Sequence, residues 1–135
     1  MLTGGCYCGK VRYDISVDPA MSAQCHCRAC QFFSGGGPNY YMLVRPEGFA
    51  FTCGETKAFK RPDLENAVTR EFCPSCGTQL ITRRPGLNFI IVKSGTLDEP
   101  AAYGQPKMAI FCEERAPFHV IPEGLPAFDG LPPRR

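Results

Sequence analysis

The sequence has no tryptophan, two histidines and no long apolar run. Its longest apolar stretch, residues 40–44, is far below the ~20 residues that a helix needs to cross a bilayer. The segment from Met1 to Gly5 has no basic stretch followed by an apolar one, as a secretion signal would have. We therefore predict a cytoplasmic protein with no membrane partner, in a compartment that keeps thiols reduced.

Concentrated positive charge is also missing. No run of lysine or arginine exceeds two residues, and the formal net charge is +2 at pH 7. Nucleic acid is therefore not expected as a partner.

The apolar pattern favours strands over helices. Residues 10–17 alternate between apolar and polar, which is the period of a half-buried strand. No segment keeps a helical period over ten residues, so the 135 residues predict a single mainly β domain with a proline-rich, irregular tail from residue 122. Further strands are predicted at residues 40–44, 49–53, 57–60, 68–72, 79–82, 89–94 and 119–121, and a helical turn at residues 28–33.

Cysteine is the abundant reactive residue, with nine in the chain. An odd count fits a complete set of disulfides poorly, and clustered cysteines in a reducing compartment indicate metal ligands. Seven of them form three clusters: Cys6-Tyr7-Cys8-Gly9, Cys25-His26-Cys27-Arg28-Ala29-Cys30 and Cys73-Pro74-Ser75-Cys76-Gly77. Zinc prefers such thiolates in a tetrahedron, so the sequence predicts zinc.

Seven ligands do not fill two tetrahedra, which suggests a closed site of four and an open site of three. Spacing alone leaves the partition undecided. We assign Cys25, Cys27 and Cys30 to the open, catalytic site because they lie within six residues. The closed, structural site then takes the remaining clustered cysteines: Cys6, Cys8, Cys73 and Cys76.

Three other residues could either take part in the chemistry or have only a structural role. His26 would be the fourth ligand if the second site were structural too. Neighbouring side chains on an extended segment point to opposite sides, so we predict instead that His26 supports the ligands or faces solvent. Cys53 and Cys112 stand alone in strand-like surroundings, and we predict that both are buried as small hydrophobic residues.

These clusters, in this order, resemble the glutathione-dependent formaldehyde-activating enzyme family, which includes the centromere protein V relatives. The resemblance spans residues 3–128, and two later segments share in it: residues 94–98 and 110–117. It implies a β-tent of short twisted antiparallel sheets organised around a four-cysteine structural zinc. It also implies the same division of the cysteines, with Cys25, Cys27 and Cys30 at a second, easily lost zinc.

The resemblance implies a zinc-dependent carbon–sulfur lyase that joins formaldehyde, or a related aldehyde, to glutathione or another small thiol. Arg28 and Arg70 are candidate partners for glutathione carboxylates, because a guanidinium pairs with a carboxylate through two hydrogen bonds. Ser34-Gly35-Gly36-Gly37 is either an anion-binding loop or a flexible surface loop. Two other functions stay open: a non-catalytic zinc module that binds a partner, and a thiol-redox enzyme using Cys112 or Cys53.

Overall fold

Ten short strands and one short α-helix follow one another in the computed structural model, which describes residues 1–133. The helix α1 is Arg28–Phe33. The strands are β1 (Leu2–Gly5), β2 (Arg12–Ile15), β3 (Met21–Cys25), β4 (Asn39–Val44), β5 (Phe49–Cys53), β6 (Lys57–Phe59), β7 (Thr69–Phe72), β8 (Gln79–Arg83), β9 (Ile90–Lys93) and β10 (Ala109–Ile110).

The strands form two sheets. The small sheet has the order β1-β2-β5 and is antiparallel throughout. The large sheet has the order β10-β3-β4-β9-β8-β7-β6, and its pairings are antiparallel except for β10 with β3. The predicted mainly β fold of short strands is therefore confirmed, with one parallel pairing added.

One hydrophobic core joins the two sheets. Tyr13 and Ile15 of β2 are fully buried and belong to the same cluster as Met42, Val44 and Val92 of the large sheet. The Tyr13 hydroxyl is not left unpaired, because it lies 2.7 Å from the Thr96 hydroxyl. Met42 and Val44 of β4 face this core, and alternation along the strand turns the odd-numbered residues to the opposite face.

Most predicted strands are confirmed within a few residues, and α1 has the predicted bounds. The strand at 119–121 is wrong: His119 lies in a turn, where its N–H bonds to the Ala116 carbonyl at 3.0 Å. The strand predicted from residue 10 begins at Arg12, because the cysteine turn closes through the Cys6 N–H and the Val11 carbonyl.

Three strands were not predicted from the sequence. β1 is rich in glycine, β3 is mostly small or polar although four of its five residues are buried, and β10 has two residues. The tail to residue 133 has no helix or strand, as predicted, yet it lies against β10 through Ala109 and Phe128. None of the helices in residues 1–133 has the length and apolar character needed to cross a membrane.

Candidate metal centres and cleft

The first cysteine cluster joins two distant parts of the chain. The Sγ atoms of Cys6, Cys8, Cys73 and Cys76 all lie within 4.8 Å of one another. Cys6 Sγ is 3.6 Å from Cys8 Sγ, and Cys8 Sγ is 3.8 Å from Cys73 Sγ. Four sulfurs around a zinc with Zn–S near 2.3 Å would be about 3.8 Å apart. The donor type and spacing therefore fit a tetrahedral zinc.

Two similar turns carry these cysteines. In each, the first cysteine donates its N–H across the turn, from Cys6 to the Val11 carbonyl and from Cys73 to the Thr78 carbonyl. Backbone N–H groups also point at the sulfurs: Val11 N–H bonds to Cys6 Sγ at 3.3 Å.

Each turn needs a left-handed residue directly after its second cysteine. Gly9 and Gly77 supply it, with φ of 81° and 79°. A side chain there would strain the backbone, so glycine is the residue that lets both turns close around the sulfurs.

The second cluster is local in sequence. Cys25 ends β3, Cys27 caps α1, and Cys30 lies within the helix, with their Sγ atoms within 4.8 Å of one another. The Cys30 N–H donates to Cys27 Sγ at 3.2 Å, which caps the helix with a sulfur. The structure thus brings together all seven predicted ligands in the predicted groups of four and three, and the second group also offers soft donors that suit zinc.

The three thiols of the second cluster share their protons unequally. Hydrogen bonds from the Cys25 and Cys30 thiols hold the pKa of Cys27 well below its usual range. Hydrogen bonds to Cys27 and Cys30, together with burial, raise the pKa of Cys25. Binding a metal ion to these sulfurs would release the thiol protons.

A cleft of about 1020 Å³ opens beside this second cluster. Its floor is one face of the large sheet, because residues that pair across neighbouring strands point to the same side. Cys25 belongs to that face, whereas the four-cysteine cluster is not part of the cleft lining. The floor residues in register are Ile110, Cys25 and Asn39 on β10, β3 and β4, and Ile91, Thr82, Arg70 and Phe59 on β9, β8, β7 and β6.

The cleft is positively charged. Arg28, Arg61, Arg70 and Arg84 line it, and within residues 1–133 no aspartate or glutamate does. Arg61 is paired with Asp63 at 2.5 Å, whereas the three other guanidinium groups have no salt bridge within the described part of the chain. Arg28 and Arg70, which the sequence analysis named as candidate carboxylate partners, both line the cleft beside the second cluster, and Arg84, directly after β8, was not named.

Aromatic rings hold two of these arginines. The Arg70 guanidinium lies 4.1 Å from the Phe33 ring centroid, and the Arg28 guanidinium 4.7 Å from that of Phe32. Phe32 is 74% exposed, so the rim of the cleft offers apolar surface to a ligand. Stacking on a ring orients each guanidinium, and Arg28 also donates from one nitrogen to Gln31 Oε1 at 2.7 Å, which leaves its other N–H groups for an anionic group.

His26 is fully buried, so the predicted solvent-facing side chain is wrong. That His26 supports the three cysteines of the second cluster stays a prediction. His119 Nδ1 accepts from the Ala116 N–H at 3.2 Å, which leaves His119 Nε2–H to donate to the Gly36 carbonyl at 2.7 Å. His26 Nδ1–H then donates to His119 Nδ1 at 3.0 Å, and His26 Nε2 accepts from Gln24 at 2.9 Å. Every ring nitrogen is paired, and burial, followed by His119, lowers the pKa of His26.

The glycine-rich loop after α1 is held in place by these contacts. The Gly36 N–H donates to the Gln31 carbonyl at 2.8 Å, so it is not available to an anion. The Ser34 hydroxyl accepts from Lys93 at 3.4 Å. Within the described residues, the loop supplies no lining to the cleft. The anion-binding role and the flexibility of this loop therefore stay predictions.

The two remaining cysteines differ from each other. Cys112 is buried, as predicted, in the turn behind Phe111. Cys53 is exposed, so its predicted burial is wrong; it ends β5, which is an edge strand of the small sheet. Both lie outside the two cysteine clusters.

Fold and site together define a mainly β protein with a four-thiol cluster and a three-thiol cluster at a basic cleft. Residues 1–114 match the family model described as glutathione-dependent formaldehyde-activating enzyme. The protein therefore belongs to the glutathione-dependent formaldehyde-activating enzyme family, as its cysteine motifs predicted. The match ends before the tail, whereas the motif resemblance was expected to reach residue 128.

The fold is also found in a solved structure. The crystal structure of a Rhodobacter sphaeroides protein from structural genomics matches with a TM-score of 0.60 and 18% sequence identity, covering 77% of this chain and 96% of that one. At that identity the likeness shows the fold alone. The search of curated proteins gave no match.

Proposed function

We propose that this protein is a zinc-dependent carbon–sulfur lyase that joins formaldehyde, or a related small aldehyde, to the thiol of glutathione or of a similar anionic thiol. The observation that carries the proposal is the three-thiol cluster at the basic cleft, in a chain that belongs to the formaldehyde-activating family. The proposed site residues are Cys25, Cys27 and Cys30, with Cys6, Cys8, Cys73 and Cys76 as ligands of a structural zinc. The cytoplasm, where glutathione is abundant and thiols stay reduced, is the proposed location.

Cys25, Cys27 and Cys30 would hold a zinc ion with one position left for substrate. Zinc so held would lower the pKa of an incoming thiol and keep its sulfur in place. Because three thiolates leave the site with a net charge of about −1, we expect thiol positioning to matter more than activation of the carbonyl.

The guanidinium groups of the cleft would bind the thiol's carboxylates. Glutathione has two carboxylates, and Arg28, Arg70 and Arg84 are the cleft arginines without a salt bridge in the described residues. Arg70 is close enough to the second cluster to lower the pKa of Cys27, after the hydrogen bonds from Cys25 and Cys30. An anionic thiol bound there would place its sulfur beside the three cysteines, which raises its effective concentration at the site.

The test combines a metal analysis with an exchange measurement. Gently purified protein should contain two zinc ions per chain, one of which is removed by a mild chelator. Formaldehyde and glutathione are in equilibrium with their adduct, S-(hydroxymethyl)glutathione. Two-dimensional exchange NMR should show that the two-zinc protein accelerates the interconversion of the reactants and the adduct. Two bound zinc ions with no acceleration would refute the proposal for glutathione.

A further inference from the structure

Asn39 lies in the cleft directly opposite a cysteine of the second cluster. It is the first residue of β4 and pairs directly with Cys25 of β3, so both side chains leave the sheet on the same face. Such directly opposed residues have Cβ atoms about 5 Å apart. Asn39 is 6% exposed and lines the cleft with Cys25. Its amide is therefore a neighbour of the second cysteine cluster.

The orientation of this amide is determined by Lys93. Lys93 pairs with Tyr41, two residues beyond Asn39 on β4, and its side chain lies on the same face. Lys93 Nζ donates to Asn39 Oδ1 at 2.7 Å and to Ser34 Oγ at 3.4 Å. An ammonium group can only donate, so it selects the carbonyl side of the amide. The NH₂ side must then turn away from Lys93.

The amide nitrogen of Asn39 is open to the cleft. Within residues 1–133 it has no hydrogen-bond partner, although every fully buried side-chain nitrogen and oxygen there has one. An unpaired polar atom in such a site must therefore be reachable by solvent. Asn39 thus offers two N–H donors to whatever lies in the cleft beside Cys25.

We propose that Asn39 Nδ2–H is a catalytic hydrogen-bond donor to the oxygen of the aldehyde and of its thiol adduct, with Lys93 as the positioning residue. This rests on the proposed function. The thiol gives its proton to solvent, its sulfur forms a bond to the carbonyl carbon, and the π pair of the C=O bond moves to the oxygen. Asn39 donates to that oxygen as negative charge develops, and the oxygen then takes a proton from water to become a hydroxyl.

The first test uses two substitutions of the donor. Asn39→Asp keeps the size of the side chain and an acceptor for Lys93 but replaces the NH₂ group by an oxygen. Asn39→Leu removes the donor without adding charge. Loss of one such donor lowers kcat by about 100-fold or more in other enzymes, and we expect a fall of that order in both variants. Zinc content should stay at the wild-type value, and the Kd of Asn39→Leu for glutathione should stay within about threefold, because Asn39 contacts the oxygen and not the thiol's carboxylates.

The matched control is Asn88→Asp, which makes the same change at an exposed asparagine between β8 and β9 and should leave kcat unchanged. Lys93→Met should lower kcat less than the Asn39 variants, because the donor remains but its orientation is lost.

A second measurement does not depend on turnover. In the ¹H–¹⁵N spectrum of the zinc-loaded protein, the Asn39 side-chain amide resonances should shift on addition of an equilibrium mixture of formaldehyde and glutathione. They should stay in place with S-methylglutathione, which has no hydroxyl. In Lys93→Met the shift with the mixture should be lost or much smaller.

The outcomes separate the two proposals. If the wild type accelerates exchange and both zinc-loaded Asn39 variants keep kcat within about threefold, the role of Asn39 is refuted while the proposed function stands. If the amide resonances respond equally to S-methylglutathione, the hydroxyl contact is refuted. A two-zinc wild type without any acceleration refutes the proposed function and, with it, this role of Asn39.

Discussion

The two cysteine clusters have the same donor atoms but opposite settings. The cluster at Cys6, Cys8, Cys73 and Cys76 joins two turns, in which Cys8 and Cys73 are 65 residues apart. Its four thiols could fill a zinc tetrahedron without any further ligand. The cluster of three lies within one strand end and one helix, and it faces a cleft lined by arginine and aromatic side chains. Thiolate chemistry alone therefore does not define a function here; the number of ligands and the surroundings do.

The difference extends to connectivity. A zinc ion bound by the four-cysteine cluster would tie the start of β2 to the turn after β7 and would stabilise the folded chain directly. A zinc ion bound by the three-cysteine cluster would tie together residues that β3 and α1 already hold close. Loss of the first is therefore expected to affect folding, and loss of the second to affect activity.

The largest effect is expected from Cys73→Ser, which removes a buried thiol of the four-cysteine cluster. Structural zinc contributes about 10–16 kcal/mol to the folding of zinc-finger peptides, which exceeds the stability of a typical domain. We expect this variant to lose one zinc and its cooperative thermal transition. A calorimetric scan with a zinc determination checks this, and a wild-type melting temperature with one zinc missing would contradict it.

Cys27→Ser is expected to separate activity from folding. It removes from the three-cysteine cluster a proposed zinc ligand, the sulfur that also caps α1. A serine oxygen can still cap the helix, so the free energy of unfolding should fall by no more than about 1 kcal/mol. The second zinc and thiol-dependent aldehyde turnover should be lost. Unchanged turnover in NMR exchange would contradict the open-site mechanism.

A smaller effect is expected from Arg70→Met, which should raise KM for glutathione about tenfold with little change in kcat. A hydrogen bond between charged groups contributes about 1.5–3 kcal/mol, and 1.4 kcal/mol corresponds to tenfold in affinity. Arg83→Met is the matched control, because Arg83 bonds to Glu71 outside the cleft. Equal changes in KM for both variants would show that only the net charge matters.

The smallest effect concerns Asp98, which contacts Thr3 of β1 and Arg12 of β2. Arg12 and the Thr3 hydroxyl lower the pKa of Asp98 to about 2. Because this pKa is below its ordinary value of 3.8, the contacts stabilise the fold above about pH 4 and lose this contribution as the pH falls through about 2.

Asp98→Asn should therefore melt slightly earlier than the wild type at pH 6, and the difference should shrink towards pH 2. Asp63→Asn serves as the control, because Asp63 pairs with Arg61 two residues away and joins no distant segments. A difference between Asp98→Asn and the wild type that grows on acidification would contradict the assignment.

The two cysteine groups could be predicted because a shared metal ion would impose local spacing on its ligands. Two cysteines that bind the same ion lie on one tight turn, and such a turn favours a glycine directly after them. This pattern can be recognised from neighbouring residues in the sequence. The strands with alternating apolar residues were predictable for a similar reason, since one face of each is buried. β3 was missed because its burial comes from its place between β10 and β4, not from its own apolar residues.

His26, Cys53, Arg84 and Asn39 show where sequence reasoning stops. His26 is buried because His119, 93 residues later, folds back to pair with it, and Cys53 is exposed because β5 became an edge strand. Asn39 stands opposite Cys25 only through the strand register, and Arg84 lines the cleft from the segment that follows β8.

By itself the sequence determined which cysteines group together, the family and the mainly β character, because each depends on neighbours within a few residues or on an ordered motif. The tertiary structure decided the rest: the basic cleft beside the three-cysteine cluster, the burial of His26 and the orientation of the Asn39 amide. These depend on contacts between strands far apart in the chain, and register, which places a side chain on one face or the other, is set by the whole sheet.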